Sequence, residues 1–220
     1  VFVSEELGKY YYKADQNERL REFDKSKIEA KNFFIIDPLD GSTNAARGIP
    51  FSSISIAYAS GPSFSDIQTG SVINLATGDL YTAERGGGAF LNGEKIECAT
   101  IDHLGGSVAA VAFKSMAMEK NLEKIQMKLL QSLGKIRIFG SCALECCLIA
   151  QGALDLYIDL RETIRTVDFA AGYLIVKEAG GFFCNGYFKD IESESLFLDN
   201  KYSIFVGTDS IREPLVDFYS

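Results

Sequence analysis

The chain has 220 residues, of which 47% are hydrophobic, and this suits one globular domain or two small halves sharing a core. Its net charge of −8 argues against partners such as nucleic acid or anionic membranes. No stretch approaches the roughly 20 apolar residues of a membrane span, and the start lacks a secretory signal, so we expect a cytoplasmic protein.

The first half of the chain is dominated by short strand patterns. Apolar or alternating runs of strand length occur at 1–3, 33–36, 51–59, 67–74 and 79–84. The last two flank a turn at residues 76–79 and predict a hairpin, so 33–98 together predict an antiparallel sheet. The charge-rich residues 13–31 indicate an exposed loop or a short helix.

The second half alternates helices with strands. Helices are predicted at 116–133, 141–150, 167–179 and 210–218, and strands at 135–139, 154–159 and 203–207. This alternation predicts a layered α/β arrangement. We therefore expect an α/β protein with a single domain over 1–220, made of a mainly antiparallel half (1–112) and an α/β half (113–220).

An apolar strand runs into two carboxylates at Asp37 and Asp40. Pro38 turns the chain, and the spacing lets both side chains converge at the strand end. Gly41 permits unusual backbone angles, and residues 42–44 are of types that cap helix N-termini. Two carboxylates for a metal and a helix start for an anion suit a metallophosphatase. An ordinary strand–turn–helix corner would use the same residue types, and the spacing alone leaves both interpretations open.

Two further acidic elements could join this loop. Asp168 falls in the first turn of a predicted helix, where it could also simply complement the helix dipole. The small residues 170–172 would let that helix pack closely against a neighbour. Glu5 and Glu6 end the first strand, and because adjacent strand residues point to opposite faces, at most one faces the site.

The histidine and cysteine content excludes other chemistries. The only histidine, His103, excludes a His-rich zinc site and would have to carry any Ser-His-Asp triad. The five cysteines include no CxxC pair and are expected to be small hydrophobic residues. Carboxylates with a hard cation such as magnesium are therefore the expected machinery.

Three motifs in this order resemble the inositol monophosphatase family. They are Ser4-Glu5-Glu6, Asp-Pro-Leu-Asp-Gly-Ser-Thr-Asn at 37–44, and Asp168 opening a helix that ends in Glu-Ala-Gly-Gly at 178–181. The segments 137–141 and 159–168 look most like the archaeal fructose-1,6-bisphosphatase branch. The resemblance implies the αβαβα sandwich of the sugar phosphatases, without the N-terminal helices. Because the chain starts at Val1 with a strand, we expect the natural protein to start earlier.

The resemblance also implies a role for each motif residue. Two or three magnesium ions would be held by Glu5, Asp37, the carbonyl of Leu39, Asp40 and Asp168. Backbone N–H groups of Gly41 and Ser42 would bind the phosphate, and the Ser42 hydroxyl would orient the attacking water. Gly140, Ser141 and Cys142 would contact the sugar, although Cys142 could equally be a core residue.

Arg161 departs from the family pattern, because many inositol phosphatases carry a Glu there. The reversed charge favours a substrate with a second phosphate, and Arg161 and Arg165 are the candidate contacts. Solvated loop charges are the alternative interpretation for both.

The expected function is magnesium-dependent hydrolysis of a small phosphorylated sugar or polyol by a metal-activated water. Fructose-1,6-bisphosphate and inositol 1-phosphate are the leading substrates, and the protein is expected to be a homodimer. Alternatives are a nucleotide 3′-phosphatase or an NADP phosphatase of the same family, and a non-catalytic relative that binds a ligand.

Overall fold

The structure is a computed structural model that describes residues 2–4, 11–13, 18–20, 32–112, 127–197 and 200–219. Side chains are described for 32–112, 127–197 and 200–217. The predicted metal ligand Glu5 and its neighbour Glu6 lie outside the described residues, as does most of the helix predicted at 116–133.

Nine strands form the first sheet, in the order β3-β2-β1-β4-β5-β6-β7-β8-β9. They are β1 (Phe2–Ser4), β2 (Tyr11–Lys13), β3 (Glu18–Leu20), β4 (Phe33–Asp40), β5 (Ser53–Ala59), β6 (Ile67–Asn74), β7 (Leu80–Glu84), β8 (Gly88–Leu91) and β9 (Glu94–Ile96). Among the described strands of this sheet only β1 and β4 pair in parallel, and the strands within 33–98 are all antiparallel, as predicted. The prediction of a loop or helix over 13–31 is wrong for β3, whose pairing with β2 overrides its charged composition.

Five strands form the second sheet, in the order β11-β10-β12-β14-β13. They are β10 (Val108–Ala112), β11 (Lys135–Arg137), β12 (Leu156–Ile164), β13 (Gly181–Asn185) and β14 (Tyr202–Thr208). β10 lies parallel to β11 and β12, whereas β14 runs antiparallel to β12 and β13. The three strands predicted here are confirmed, and β10 and β13 are additions.

Helices lie on both faces of the second sheet. The helices are α1 (Ser42–Ala46), the described part of α2 (127–132), α3 (Cys142–Ala150), α4 (Thr166–Glu178) and α5 (Arg212–Tyr219). α3 and α4 share one buried cluster with both sheets, whereas Leu129, Leu133 and Leu215 pack against Phe182 and Phe205 of the second sheet. The described layers therefore alternate sheet, helices, sheet, helices, which confirms the α/β sandwich. None of these helices is long and apolar enough to span a membrane.

Phe169 of α4 connects the two sheets through its ring. It stacks on Phe64, just before β6, at 5.2 Å and on Phe183 of β13 at 5.3 Å between ring centroids. Aromatic pairs at these distances add stability beyond their buried area. Because one core joins both halves, we propose that they form a single domain.

Candidate active site

A bulge in β4 brings Asp37 and Asp40 to the same face of the sheet. Asp37 pairs with Ser55 and Asp40 with Ser53, so three steps along β4 match two along β5. Ser53 and Ser55 are both buried, and paired residues of neighbouring strands share a face. Without the extra residue, carboxylates three positions apart would point to opposite faces. The bulge therefore puts both residues on one face, as the predicted convergence of their carboxylates requires.

Asp40 is anchored by the start of α3. Its Oδ2 accepts hydrogen bonds from Ser141 Oγ at 2.6 Å and from the backbone N–H of Ala143 at 2.8 Å. Removal from water raises the pKa of Asp40 to about 6, these hydrogen bonds lower it in part, and the charge of Asp168 raises it. A nearby cation would stabilise the ionised form of this desolvated carboxylate.

Gly41 closes the turn between the strand and α1. Its φ of 81° is left-handed, and it is the N-cap residue of α1, so the prediction of a cap among residues 42–44 is wrong. A side chain at Gly41 would approach the Phe51 carbonyl to 2.9 Å, which explains the glycine. Just before it, Asp37 is buried and its Oδ1 accepts the N–H of Leu39 at 3.0 Å. Ser42 follows as the exposed first residue of the helix.

Asp168 lies in the first turn of α4. Its Oδ2 accepts the Arg165 backbone N–H at 2.7 Å, and its Oδ1 accepts the Arg165 guanidinium at 3.1 Å. The helix-start role that the sequence allowed is therefore confirmed. Asp168 also lines a cavity together with Asp40. Its role at the helix start is therefore compatible with the predicted role as a metal ligand.

That cavity has a volume of about 210 Å³ and lies between α3, β12 and the end of β4. Its polar wall consists of Asp40, Glu145, Arg161, Thr163 and Asp168, and its other lining residues include Gly140, Cys142 and Tyr157. Five predicted site residues therefore meet there: Asp40, Gly140, Cys142, Arg161 and Asp168. The other described candidates are not among its lining residues: Asp37, Leu39, Gly41, Ser42, Ser141 and Arg165.

Arg161 reaches the cavity while bound to a buried acid. Its Nε lies 2.9 Å and 3.0 Å from the two carboxylate oxygens of Asp159, which is fully buried. This hydrogen-bonded fork raises the pKa of Arg161 above its ordinary value, so the guanidinium stays charged. Asp159 thereby fixes the position at which Arg161 presents positive charge to the cavity.

Glu145 is a cavity residue that the sequence analysis missed. It is only 2% exposed, and burial raises its pKa to about 8, with the charge of Asp40 adding to the effect. Backbone N–H groups of Gly140 and Phe139 lower that pKa in part. The available signal was a single acid within the apolar helix pattern at 142–150.

The donor chemistry of the site fits magnesium. Asp37, Asp40 and Asp168 offer carboxylate oxygens, which hard cations prefer, and Asp40 is desolvated. Among residues 32–112, 127–197 and 200–217, no three His, Cys, Asp or Glu side chains are placed to hold one ion. The predicted ligand Glu5 lies outside these ranges, and the ligand set stays a prediction.

Known proteins resemble this chain over most of its length. Residues 9–209 match the model of the inositol monophosphatase family. A fructose-1,6-bisphosphatase/inositol-1-monophosphatase of Methanothermobacter thermautotrophicus is 37% identical over 191 residues, covering 84% of this chain and 62% of the relative. A bifunctional NADP phosphatase/NAD kinase of Methanococcus maripaludis is 32% identical over 236 residues, covering 100% of this chain and 38% of the relative.

The fold is also similar to solved structures. The extragenic suppressor protein suhB of Bartonella henselae superposes with a TM-score of 0.77 at 30% identity, covering 99% of this chain and 74% of that one. The chain thus spans between about two fifths and three quarters of the length of these relatives.

Proposed function

Because the chain belongs to the inositol monophosphatase family, we propose that it is a phosphoric monoester hydrolase that acts on a small phosphorylated sugar or polyol. The observation that carries this proposal is the meeting of Asp40 and Asp168, from two distant motifs, at one cavity. That cavity pairs acidic residues, suited to bind cations, with the positive charge of Arg161. Such a pairing suits a substrate that carries phosphate.

Enzymes of this family are generally magnesium-dependent, and Asp37, Asp40, Asp168, Glu5 and the Leu39 carbonyl would hold the ions here. Bound magnesium supplies positive charge and a water of lowered pKa. The backbone N–H groups of Gly41 and Ser42, at the start of α1, would donate to a phosphate oxygen. The exposed Ser42 hydroxyl would orient the attacking water. No covalent phosphoenzyme is required.

Arg161 supports fructose-1,6-bisphosphate as the preferred substrate. Its guanidinium is held at the cavity wall by Asp159 and would bind a second phosphate. Arg165 is the weaker candidate because it is not among the residues that line the cavity. Inositol 1-phosphate remains a proposed second substrate, and Gly140, Ser141 and Cys142 would contact the sugar or polyol.

NADP is a second candidate substrate. The relative that covers the whole chain is named as a bifunctional NADP phosphatase/NAD kinase. NADP also combines a phosphomonoester with further phosphates that Arg161 could bind. The homodimer and the cytoplasmic location stay predictions.

Exchanging metal-site carboxylates for amides tests the proposal. We expect D37N and D168N to lower magnesium-dependent phosphate release on the order of 100-fold or more, because each removes a negative oxygen donor. The amide introduced by D168N would keep an oxygen that can accept the Arg165 N–H, so α4 should remain capped. Fructose-1,6-bisphosphate, inositol 1-phosphate, NADP and 3′-phosphoadenosine 5′-phosphate should be assayed side by side.

D217N is the matched control, because Asp217 is exposed on α5. It should leave turnover unchanged. Near-normal turnover by D37N or D168N would overturn the site assignment. A wild-type protein without activity on any of these substrates would favour the non-catalytic relative.

A further inference from the structure

Asn44 is a buried amide in a short helix whose neighbouring side chains are exposed. Ser42 and Thr43 lie at the surface, whereas Asn44 is 9% exposed. Its Nδ2 donates one hydrogen bond to the Phe51 carbonyl at 2.8 Å and another to the Phe139 carbonyl at 2.7 Å. Both amide hydrogens are therefore used, and the side chain is held in one position.

The two acceptors belong to segments that are far apart in the chain. Phe51 lies before β5, and Phe139 lies between β11 and α3. Their rings stack with centroids 4.7 Å apart. Gly140, which follows Phe139, has a left-handed φ of 87° that favours glycine, and a side chain there would lie 3.4 Å from Asn44 Nδ2. Asn44 thus connects α1, which begins just after Asp40, to the segment before α3.

The segment that Asn44 holds contributes to the cavity in two ways. Gly140 and Cys142 form part of its wall. Ser141 Oγ and the Ala143 N–H bind the carboxylate of Asp40. A displacement of the chain at residue 139 would therefore change both the cavity wall and the environment of Asp40.

We propose that Asn44 is a positioning residue that fixes the distance between the end of β4 at Asp40 and the 139–143 segment, and thereby the shape of the cavity that would hold the substrate. The inference rests on the proposed function for its consequence in catalysis. The contact itself stands on the two hydrogen bonds. Asn44 is not among the residues that line the cavity, and it acts through residues 139–143.

N44D is the sharpest variant because it preserves the shape of the side chain. It replaces the nitrogen that donates to two carbonyl oxygens with a carboxylate oxygen, which repels both. N44A removes the donors without adding a charge and serves if N44D does not fold. N200D is the matched control, because Asn200 is exposed and lies outside the cavity lining.

The first measurement is backbone amide hydrogen exchange, followed by mass spectrometry. We expect residues 139–143 to exchange on the order of tenfold faster in N44D or N44A than in wild type. The N200D variant should show no change in this segment. Equal exchange in wild type and both Asn44 variants would overturn the proposal, whatever the activity of the protein.

The second measurement is steady-state kinetics well below the unfolding temperature, on fructose-1,6-bisphosphate and inositol 1-phosphate. We expect kcat/KM to fall by about tenfold to a hundredfold, with a change in the ratio of the two substrates. A purely structural role would lower Tm but leave kcat and KM unchanged, and this outcome would overturn the proposal. If wild type releases no phosphate, the proposed function fails, and the exchange measurement alone decides the role of Asn44.

Discussion

Two buried acids differ in how their charge is stabilised: Glu145 lines the cavity, whereas Asp159 binds the lining residue Arg161. Asp159 accepts a guanidinium fork from Arg161. Glu145 has weaker compensation, from the backbone N–H groups of Gly140 and Phe139, and burial raises its pKa from 4.5 to about 8. Glu145 is therefore protonated over a pH range in which an exposed glutamate is ionised. As a neutral acid it can donate a hydrogen bond into the cavity.

This difference predicts a pH-dependent stability that E145Q should reduce. Between pH 4.5 and about 8, folded Glu145 keeps a proton that the unfolded chain releases, so rising pH favours unfolding. The free energy of unfolding should fall by up to about 1.4 kcal/mol per pH unit from this group. Glutamine cannot titrate, so urea unfolding at pH 5 and pH 8 in EDTA should show a smaller fall for E145Q. E94Q, at an exposed position, should behave like wild type, and parallel pH profiles for wild type and E145Q would contradict the assignment.

At the scale of elements, the site depends on the close packing of α3 against α4. α3 carries Glu145 and receives Asp40 at its start, whereas α4 carries Asp168. The small residues predicted at 170–172 allow the approach, because a side chain at Gly172 would lie 2.7 Å from Cys146 Cβ. Gly172 thus allows α3 and α4, and the acidic residues that they carry or bind, to lie close together.

G172A should therefore destabilise the protein. The added methyl overlaps Cys146, and overpacking of this kind costs about 1–3 kcal/mol, although alanine has the higher helix propensity by up to about 1 kcal/mol. Chemical denaturation should show the loss. G105A is the control, because its methyl would meet only ordinary contacts, at 3.6 Å and beyond. An unchanged or increased stability of G172A would show that the helices can separate freely.

The sequence predicted elements best where the pattern is local. Helices α3 and α4 are mostly apolar runs of helical length that stop at glycines, and strands β5 to β7 are short runs separated by turn residues. β10 was missed because Val108–Ala112 is short and made of small residues, and its parallel neighbours β11 and β12 follow much later. β13 begins directly at the glycines that end α4, and these were interpreted only as a helix stop.

The same limit applies to the site. The carboxylates Asp37 and Asp40 could be predicted because they lie within one short motif. The role of Asn44 could not, since its acceptors at Phe51 and Phe139 come together only in the folded chain. The Asp159–Arg161 ion pair was likewise hidden, because two residues of opposite charge in a strand predict no particular contact.

At the scale of the whole molecule, the net charge of −8 opposes the approach of a phosphorylated substrate. The cavity adds the negative charges of Asp40 and Asp168, with Arg161 as the only positive residue among its described lining side chains. Bound cations at the carboxylates would reverse this local balance. The same charge means that any salt could stabilise the protein by screening repulsion, so specific binding of magnesium must be separated from general screening.

We expect magnesium chloride to raise Tm more than sodium chloride at equal ionic strength. Saturation at 100 times the dissociation constant stabilises the folded state by about 2.7 kcal/mol, equivalent to roughly 5–10 °C for a chain of this size. Thermal unfolding of wild type, D168N and the control D217N would measure the effect. D168N should lose most of the difference between the two salts, whereas D217N should keep it. Screening depends on ionic strength and not on the identity of the cation. Equal Tm shifts of wild type in the two salts would therefore mean that the acidic cavity binds no magnesium and that the salts only screen the negative surface.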